Sequence, residues 1–320
     1  MTYKRNQQTN QLPAIILGGD PFTKQFRYLY RKDRWWKLHD PDYCLSVMQS
    51  AYDAGCRAFD LSFQENVSLR NQLANQVQEP LVGFANPTWE QGVMFQDRYL
   101  FFIRDCILRT LVERLWPIPI SELVEKKLSR EDVLVFGYDR EAALLTAKDI
   151  SEIYLDKMLF RNRLSIFRDI CQYAYFGGSD LDYLVSLGRI DLVEEMLAVV
   201  KSEGFIPLLL SQYPSLVLPK IEDAGIEVEG YVIPLNRVWS WFDHKSCLEV
   251  VRATQKPVIA FMAFSHNDLR QDIRGALRWL YDDAGVASVL FGTATPEHAR
   301  ETTKIAYELL NPEGQIKMPN

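Results

Sequence analysis

The stretch Val286-Ala-Ser-Val-Leu-Phe-Gly-Thr-Ala-Thr-Pro-Glu-His-Ala-Arg-Glu-Thr302 runs from an apolar β-type segment into the start of a helix. Thr295 suits the N-cap, Pro296 the first helical position, and Glu297 puts negative charge in the first turn. Backbone N–H groups at such a start, preceded by small hydroxyl residues, are an expected anion site. An ordinary strand-to-helix turn has the same sequence signs, so the rest of the chain must decide.

Upstream, short apolar runs alternate with segments of helical period. Strand candidates are Ala14–Leu17, Arg57–Asp60, Leu81–Ala85, Tyr183–Leu187, Phe205–Leu210, Gly230–Ile233, Val258–Ala263 and Val286–Phe291. Helical patterns follow them, among them Tyr43–Ala54 closed by Gly55 and Asp191–Lys201 with Leu192, Val193, Met196, Leu197 and Val200 on one face. Eight strands each followed by helical material predict an α/β fold, a (β/α)8 TIM barrel. Residues 1–87 and 179–320 would form the barrel. Residues 88–178 would be a mainly helical insertion between the third and fourth strands, with long helices at Phe95–Leu115 and Ile150–Tyr175 and a small strand at Val133–Phe136. No GxGxxG follows the first strand, which argues against a Rossmann sheet.

Composition narrows the function classes. The 320 residues are 48% hydrophobic and 24% charged, as in a globular protein, with 36 basic against 42 acidic residues and a net charge of −6. That balance speaks against nucleic-acid binding, and no apolar run reaches the roughly 18 residues of a membrane span. The N-terminus lacks the apolar core of a secretory signal. Cys44, Cys56, Cys106, Cys171 and Cys247 are odd in number and scattered, which predicts reduced thiols in the cytoplasm.

In a barrel, the site lies where strands run into the following loops. The expected substrate-binding residues there are Asp20, Asn86, Gln212, Asn236 and Arg237, and the expected acid–base residues are Asp60, Glu65 and His266. Asp60 and Glu65 are a candidate carboxylate pair sharing a proton; no clustered motif calls for a metal. The first loop, Pro21–Leu38, interleaves Lys24, Arg27, Arg31, Lys32, Arg34 and Lys37 with six aromatic residues. It suits an anionic ligand with a flat ring, or a lid whose aromatics pack on the barrel rim.

The chain resembles the aldo-keto reductase superfamily, on Ala54-Gly-Cys-Arg-Ala-Phe-Asp60, Lys256-Pro-Val-Ile-Ala260 and, most specifically, Gly292-Thr-Ala-Thr-Pro-Glu-His-Ala-Arg-Glu301. The resemblance implies a TIM barrel with an NADP-type cofactor whose adenosine phosphate lies at Gly292, Thr293, Ala294, Thr295, His298 and Glu301. It also implies a tetrad of Asp, Tyr, Lys and His. Here Asp60 stands in the Asp position, but Glu65 holds the Tyr position, the third strand ends Gly83-Phe-Ala-Asn86 and the expected fourth ends Val185-Ser-Leu-Gly188. The tetrad's Tyr, Lys and His are therefore missing from the expected positions.

Three functions follow as expectations. The first is a barrel that binds a small anionic or phosphorylated ligand, including a nucleotide, and performs chemistry other than carbonyl reduction. The second is a non-catalytic metabolite or dinucleotide binder acting through a protein partner on the 88–178 insertion. The third is a divergent NADP-dependent oxidoreductase whose proton donor is Tyr28 or Tyr30.

Overall fold

The computed structural model describes residues 12–27, 35–116, 139, 141–238, 244–265 and 269–310. Eight parallel strands close into a barrel: β1 (Ile15–Leu17), β2 (Ala58–Leu61), β3 (Val82–Ala85), β7 (Tyr173–Gly177), β8 (Ile206–Leu210), β9 (Gly230–Pro234), β10 (Val258–Phe261) and β11 (Ser288–Phe291). β1 pairs with both β2 and β11, which completes the ring. Inside it, Ile16, Ala58, Phe84, Tyr173, Tyr175, Leu208, Val232 and Ile259 pack into a filled core, with Phe84 and Tyr173 stacked at 4.7 Å. A second, larger core lies between the strands and the helices.

The helices form for local reasons. Pro41–Asp53 starts at Asp40, whose side chain accepts from Asp42 N, and turns Cys44, Val47, Met48 and Ala51 inward. Ile190–Ser202 buries Leu192, Val193, Met196, Leu197, Val199 and Val200, the face that the helical period predicts. The closing helix is Pro296–Leu310.

The fourth strand differs from the expectation. Tyr183–Leu187 is not a strand; most of it belongs to the helix Ser179–Ser186, and the barrel strand is Tyr173–Gly177. The last part of the segment expected as insertion thus belongs to the barrel. Tyr183, Leu184 and Val185 are all buried, so their helix lacks a polar face and its apolar run imitates a strand. Gly177 (φ 109°) and Gly178 (φ 69°) make the switch from strand to helix, a left-handed step that glycine takes without a Cβ penalty.

Between β3 and β7 the chain builds a three-stranded antiparallel sheet from β4 (Val93–Phe95), β5 (Arg98–Tyr99) and β6 (Tyr154–Leu155), in the order β5-β4-β6. The long helix expected at Ile150–Tyr175 is replaced by Ala147–Ser151, β6, Lys157–Ser165 and β7. Phe95–Leu115 is helical only from Leu100, as a 3-10 turn, an α-helix at Arg104–Thr110 and a π-turn. Val133–Phe136 lies outside the described residues. No described helix is long and apolar enough to cross a membrane. All five cysteines are free thiols.

Candidate functional site

A cavity of about 700 Å³ opens at the C-terminal ends of the strands. Asp20, Asp60, Asn86, Gln212 and Gly292, all expected from the sequence, line it. Tyr175 and Val232 lie at its edge with the barrel core. The first loop and the insertion supply Gln25, Phe26, Trp89, Gln91, Phe101 and Arg104. Phe26 meets Trp89 edge-on at 5.6 Å, and Trp89 stacks on Phe101 at 5.4 Å, giving one aromatic wall.

Asp60 is the penultimate residue of β2 and is 3% exposed. The backbone N–H of Gly19 donates to its Oδ2 at 3.0 Å, while Oδ1 has no hydrogen-bond partner. Burial, then the neighbouring charge of Asp20, push its carboxyl well above the usual range; Gly19 N–H and Asn86 oppose them. Burial raises Asp20 in the same direction. Two carboxyls in one desolvated corner cannot both ionise cheaply, so both favour the protonated form. The carboxyl that neighbours Asp60 is Asp20, not the expected Glu65. Glu65 sits in the first turn of the helix Gln64–Val77, outside the cavity lining.

Residues that sequence reasoning passed over hold this corner. A Cβ on Gly19 would lie 2.3 Å from both Asp60 O and Asn66 Nδ2, so only glycine permits the loop after β1 to approach β2. Asn66, fully buried, accepts from Ser62 N and Phe63 N and donates to Gly19 O. Arg163, from the insertion, donates to Ser62 O and Pro87 O, pairs with Glu90 at 2.9 Å and lies over the Phe63 ring. At the end of β7, Gln91 grips Gly177 in both directions, accepting its N–H at 2.7 Å and donating to its O at 2.9 Å. The insertion is therefore part of the cavity wall. Spacing from Asn66 to Ser62 was the one sequence sign of this arrangement.

The other expected residues fall elsewhere. Asn236, fully buried, donates to Met262 O and accepts from Val238 N, tying the end of β9 to the loop after β10. Arg237 is ion-paired with Asp272 at 2.8 Å. Neither lines the cavity. His266, Tyr28 and Tyr30 lie outside the described residues. Arg27 is buried and braces its own loop through Thr23 O and Leu38 O, so this cation of the first loop is turned away from a ligand role.

In the turn after β11, Thr295 Oγ1 accepts from His298 N, and Thr295 O accepts from Ala299 N, as an N-cap does. Thr293 Oγ1 accepts from Thr295 N, Ala294 O takes the Tyr43 hydroxyl, and the His298 ring is 2.8 Å from the Arg270 guanidinium. Glu301 is exposed on the helix. Of this group only Gly292 lines the cavity. The hydroxyl oxygens accept within the turn and the His298 ring meets Arg270, so these groups serve first to hold the turn together.

Three carboxyls, Asp20, Asp60 and Asp180, and one guanidinium, Arg104, line the cavity. Burial raises all three carboxyls above the usual range, which favours their neutral form there. Among the described residues no group of three or more metal-ligating side chains is assembled.

No family model matches the sequence, and no curated protein matches it. Solved structures do. An aldo/keto reductase from Brucella melitensis superposes with a TM-score of 0.52 at 12% identity, covering 92% of this chain and 90% of its own. A Pseudomonas aeruginosa protein provisionally described as an aldo-keto reductase gives 0.50 at 16% identity, with the same coverage. The protein has a (β/α)8 barrel. At these identities, the likeness establishes the fold.

Proposed function

We propose that this barrel is an acid–base enzyme that moves a proton to or from a small organic substrate held in the cavity, rather than delivering hydride to a carbonyl. The observation that carries this reading is the Asp20–Asp60 corner: two carboxyls after adjacent strands, both raised by burial, and an Asp60 oxygen without a hydrogen-bond partner in a residue that lines the cavity. A group that holds a proton near neutral pH can give and take it within one cycle. Gly19 N–H keeps the Asp60 carboxyl oriented while it does so.

A second reading is supported by Tyr175 and by the names of the two structural neighbours. The Tyr175 hydroxyl is buried at the cavity, has no hydrogen-bond partner and lies within the field of Asp60. In a reductase it would be the proton donor, in place of Tyr28 or Tyr30.

One experiment separates the two. A panel of small carbonyl compounds is incubated with the protein in D2O, with and without NADPH, and followed by proton NMR and cofactor absorbance. Deuterium gain at carbon without NADPH, lost in D60N and D20N, is the expected result. NADPH oxidation without exchange, abolished by Y175F, overturns it in favour of the second reading.

A further inference from the structure

Helix Ser179–Ser186 begins with two buried aspartates that are treated very differently. Asp182 is satisfied: Ser211 Oγ donates to its Oδ1 at 2.6 Å and Gln212 N to its Oδ2 at 2.8 Å. Asp180 is 2% exposed, lines the cavity, and neither of its oxygens has a hydrogen-bond partner. Gln212, on the same wall, has an Oε1 that is likewise buried and unpartnered. Buried polar atoms are nearly always paired, and orphans gathered in a cavity mark the groups a ligand satisfies.

Gln212 Oε1 accepts, and both Asp180 oxygens accept once its carboxyl is ionised, so a ligand that brings both donors and positive charge satisfies all three. Three acceptor oxygens then match the three N–H groups of an ammonium ion. A polyol brings donors but no charge to favour the ionised Asp180. The turn Leu100–Ile103, which carries Phe101, packs against the Asp180 helix, so the aromatic wall is adjacent. Aromatic faces attract cations.

We propose that Asp180 and Gln212 form a subsite for the ammonium group of a small primary amine, whose apolar part lies against Phe26, Trp89 and Phe101. This deepens the acid–base reading, on which it rests only in placing the substrate in the same cavity. The ammonium would sit on the β7–β8 side and the reacting carbon on the Asp20–Asp60 side.

A pH dependence follows. Burial, with the charge of Asp182 adding, raises Asp180 well above the carboxylate range. The other ionisable groups around the helix are Tyr183 and Tyr213, both raised mainly by burial, and Arg104, whose charge opposes that rise in each. On the far side stand Asp20 and Asp60. A bound ammonium favours the ionised Asp180, so binding releases a proton and tightens as pH rises.

The test uses benzylamine, benzyl alcohol and benzoate as probes in calorimetric titrations at about pH 6 and about pH 8, in two buffers of different ionisation enthalpy. Benzylamine should bind at least about tenfold more tightly than the alcohol or the acid, with proton release and higher affinity at the upper pH. D180N should erase that preference while its melting temperature stays level or rises, because an unpaired buried carboxyl has been removed. D60N should keep it. An amine that binds no better than the alcohol, no binding of any probe, or a preference that survives D180N overturns the proposal. So does inositol, added as a polyol control, binding more tightly than benzylamine. Wild-type exchange without an amine preference overturns the subsite alone, and an amine preference lost in D180N without wild-type exchange overturns the acid–base reading alone.

Discussion

The turn after β11 and the corner between β1 and β2 lie on the same rim and behave oppositely. In the turn, nearly every group the sequence marked as a ligand contact is already used: Thr295 caps its helix, Thr293 and Ala294 hold the loop, and His298 meets Arg270. At the corner, Asp60 keeps an unpartnered oxygen and its carboxyl is raised by burial and by the charge of Asp20. Motif likeness points to the first and unsatisfied polarity to the second. A helix cap and an anion site employ the same residue types, so a sequence does not separate them; the difference lies in whether the donors have partners left to find.

The largest expected effect comes from glycine exchange in the two places. Gly19→Ala forces a methyl group to 2.3 Å from Asp60 O and Asn66 Nδ2. It should cost about 3 kcal/mol in urea unfolding and disturb the carboxyl pair, because the obstacle includes backbone. Gly292 is exposed and its φ lies outside the left-handed region, so Gly292→Ala should stay within about 0.5 kcal/mol. Equal costs would dissolve the contrast.

Next is the clamp that joins insertion to barrel. Gln91→Ala removes two hydrogen bonds to Gly177 and leaves its N–H and C=O buried without partners. A loss of about 1–3 kcal/mol is expected in denaturant titration, with altered ligand binding in the cavity.

The carboxyl pair also sets a pH dependence of stability. Asp20 and Asp60 are raised in the folded state, and Asp182 is pushed up to about 8 by burial against the opposing bonds from Ser211 and Gln212. The folded protein therefore binds more protons than the unfolded chain between the ordinary carboxylate range and neutrality. The stability these groups contribute is full at about pH 4 and is lost as pH rises towards about 8. Thermal melts should show that decline in the wild type and a shallower one in D60N. A wild-type melting temperature that climbs across this window would contradict the pairing.

Legibility followed physical redundancy. Seven of the eight strands could be read because a half-buried or buried strand between turn signals repeats its message at every residue. The helix Ile190–Ser202 was legible through its apolar face. Tyr183–Leu187 misled because a helix buried on all sides carries no period, and its β-branched and aromatic residues mimic a strand. Asp20, Asp60, Asn86 and Gln212 could be placed on the rim from barrel topology alone. The coupling of Asp60 to Asp20 was not legible. It depends on Gly19 approaching β2 across 41 positions of chain, and no local spacing records that contact. Likewise, Gln91 and Gly177 stand 86 positions apart.

The smallest effect is the most direct test of the contrast. Thr295→Ala removes the side-chain acceptor for His298 N and should cost about 1 kcal/mol, as N-cap losses do. If the turn is a cap and nothing more, the variant should titrate its carboxyl pair and bind benzylamine as the wild type does, since Thr295 does not line the cavity. Phosphate titrated by calorimetry should give the same weak response in both proteins. A phosphate affinity that is strong in the wild type and falls about tenfold in Thr295→Ala would return the turn to the binding sites, because the capping hydroxyl still has its own O–H to donate to an anion. Arg270→Ala sharpens the same point: a loss of phosphate binding there, with Thr295→Ala silent, would place an anion on the guanidinium and leave the hydroxyls as structure.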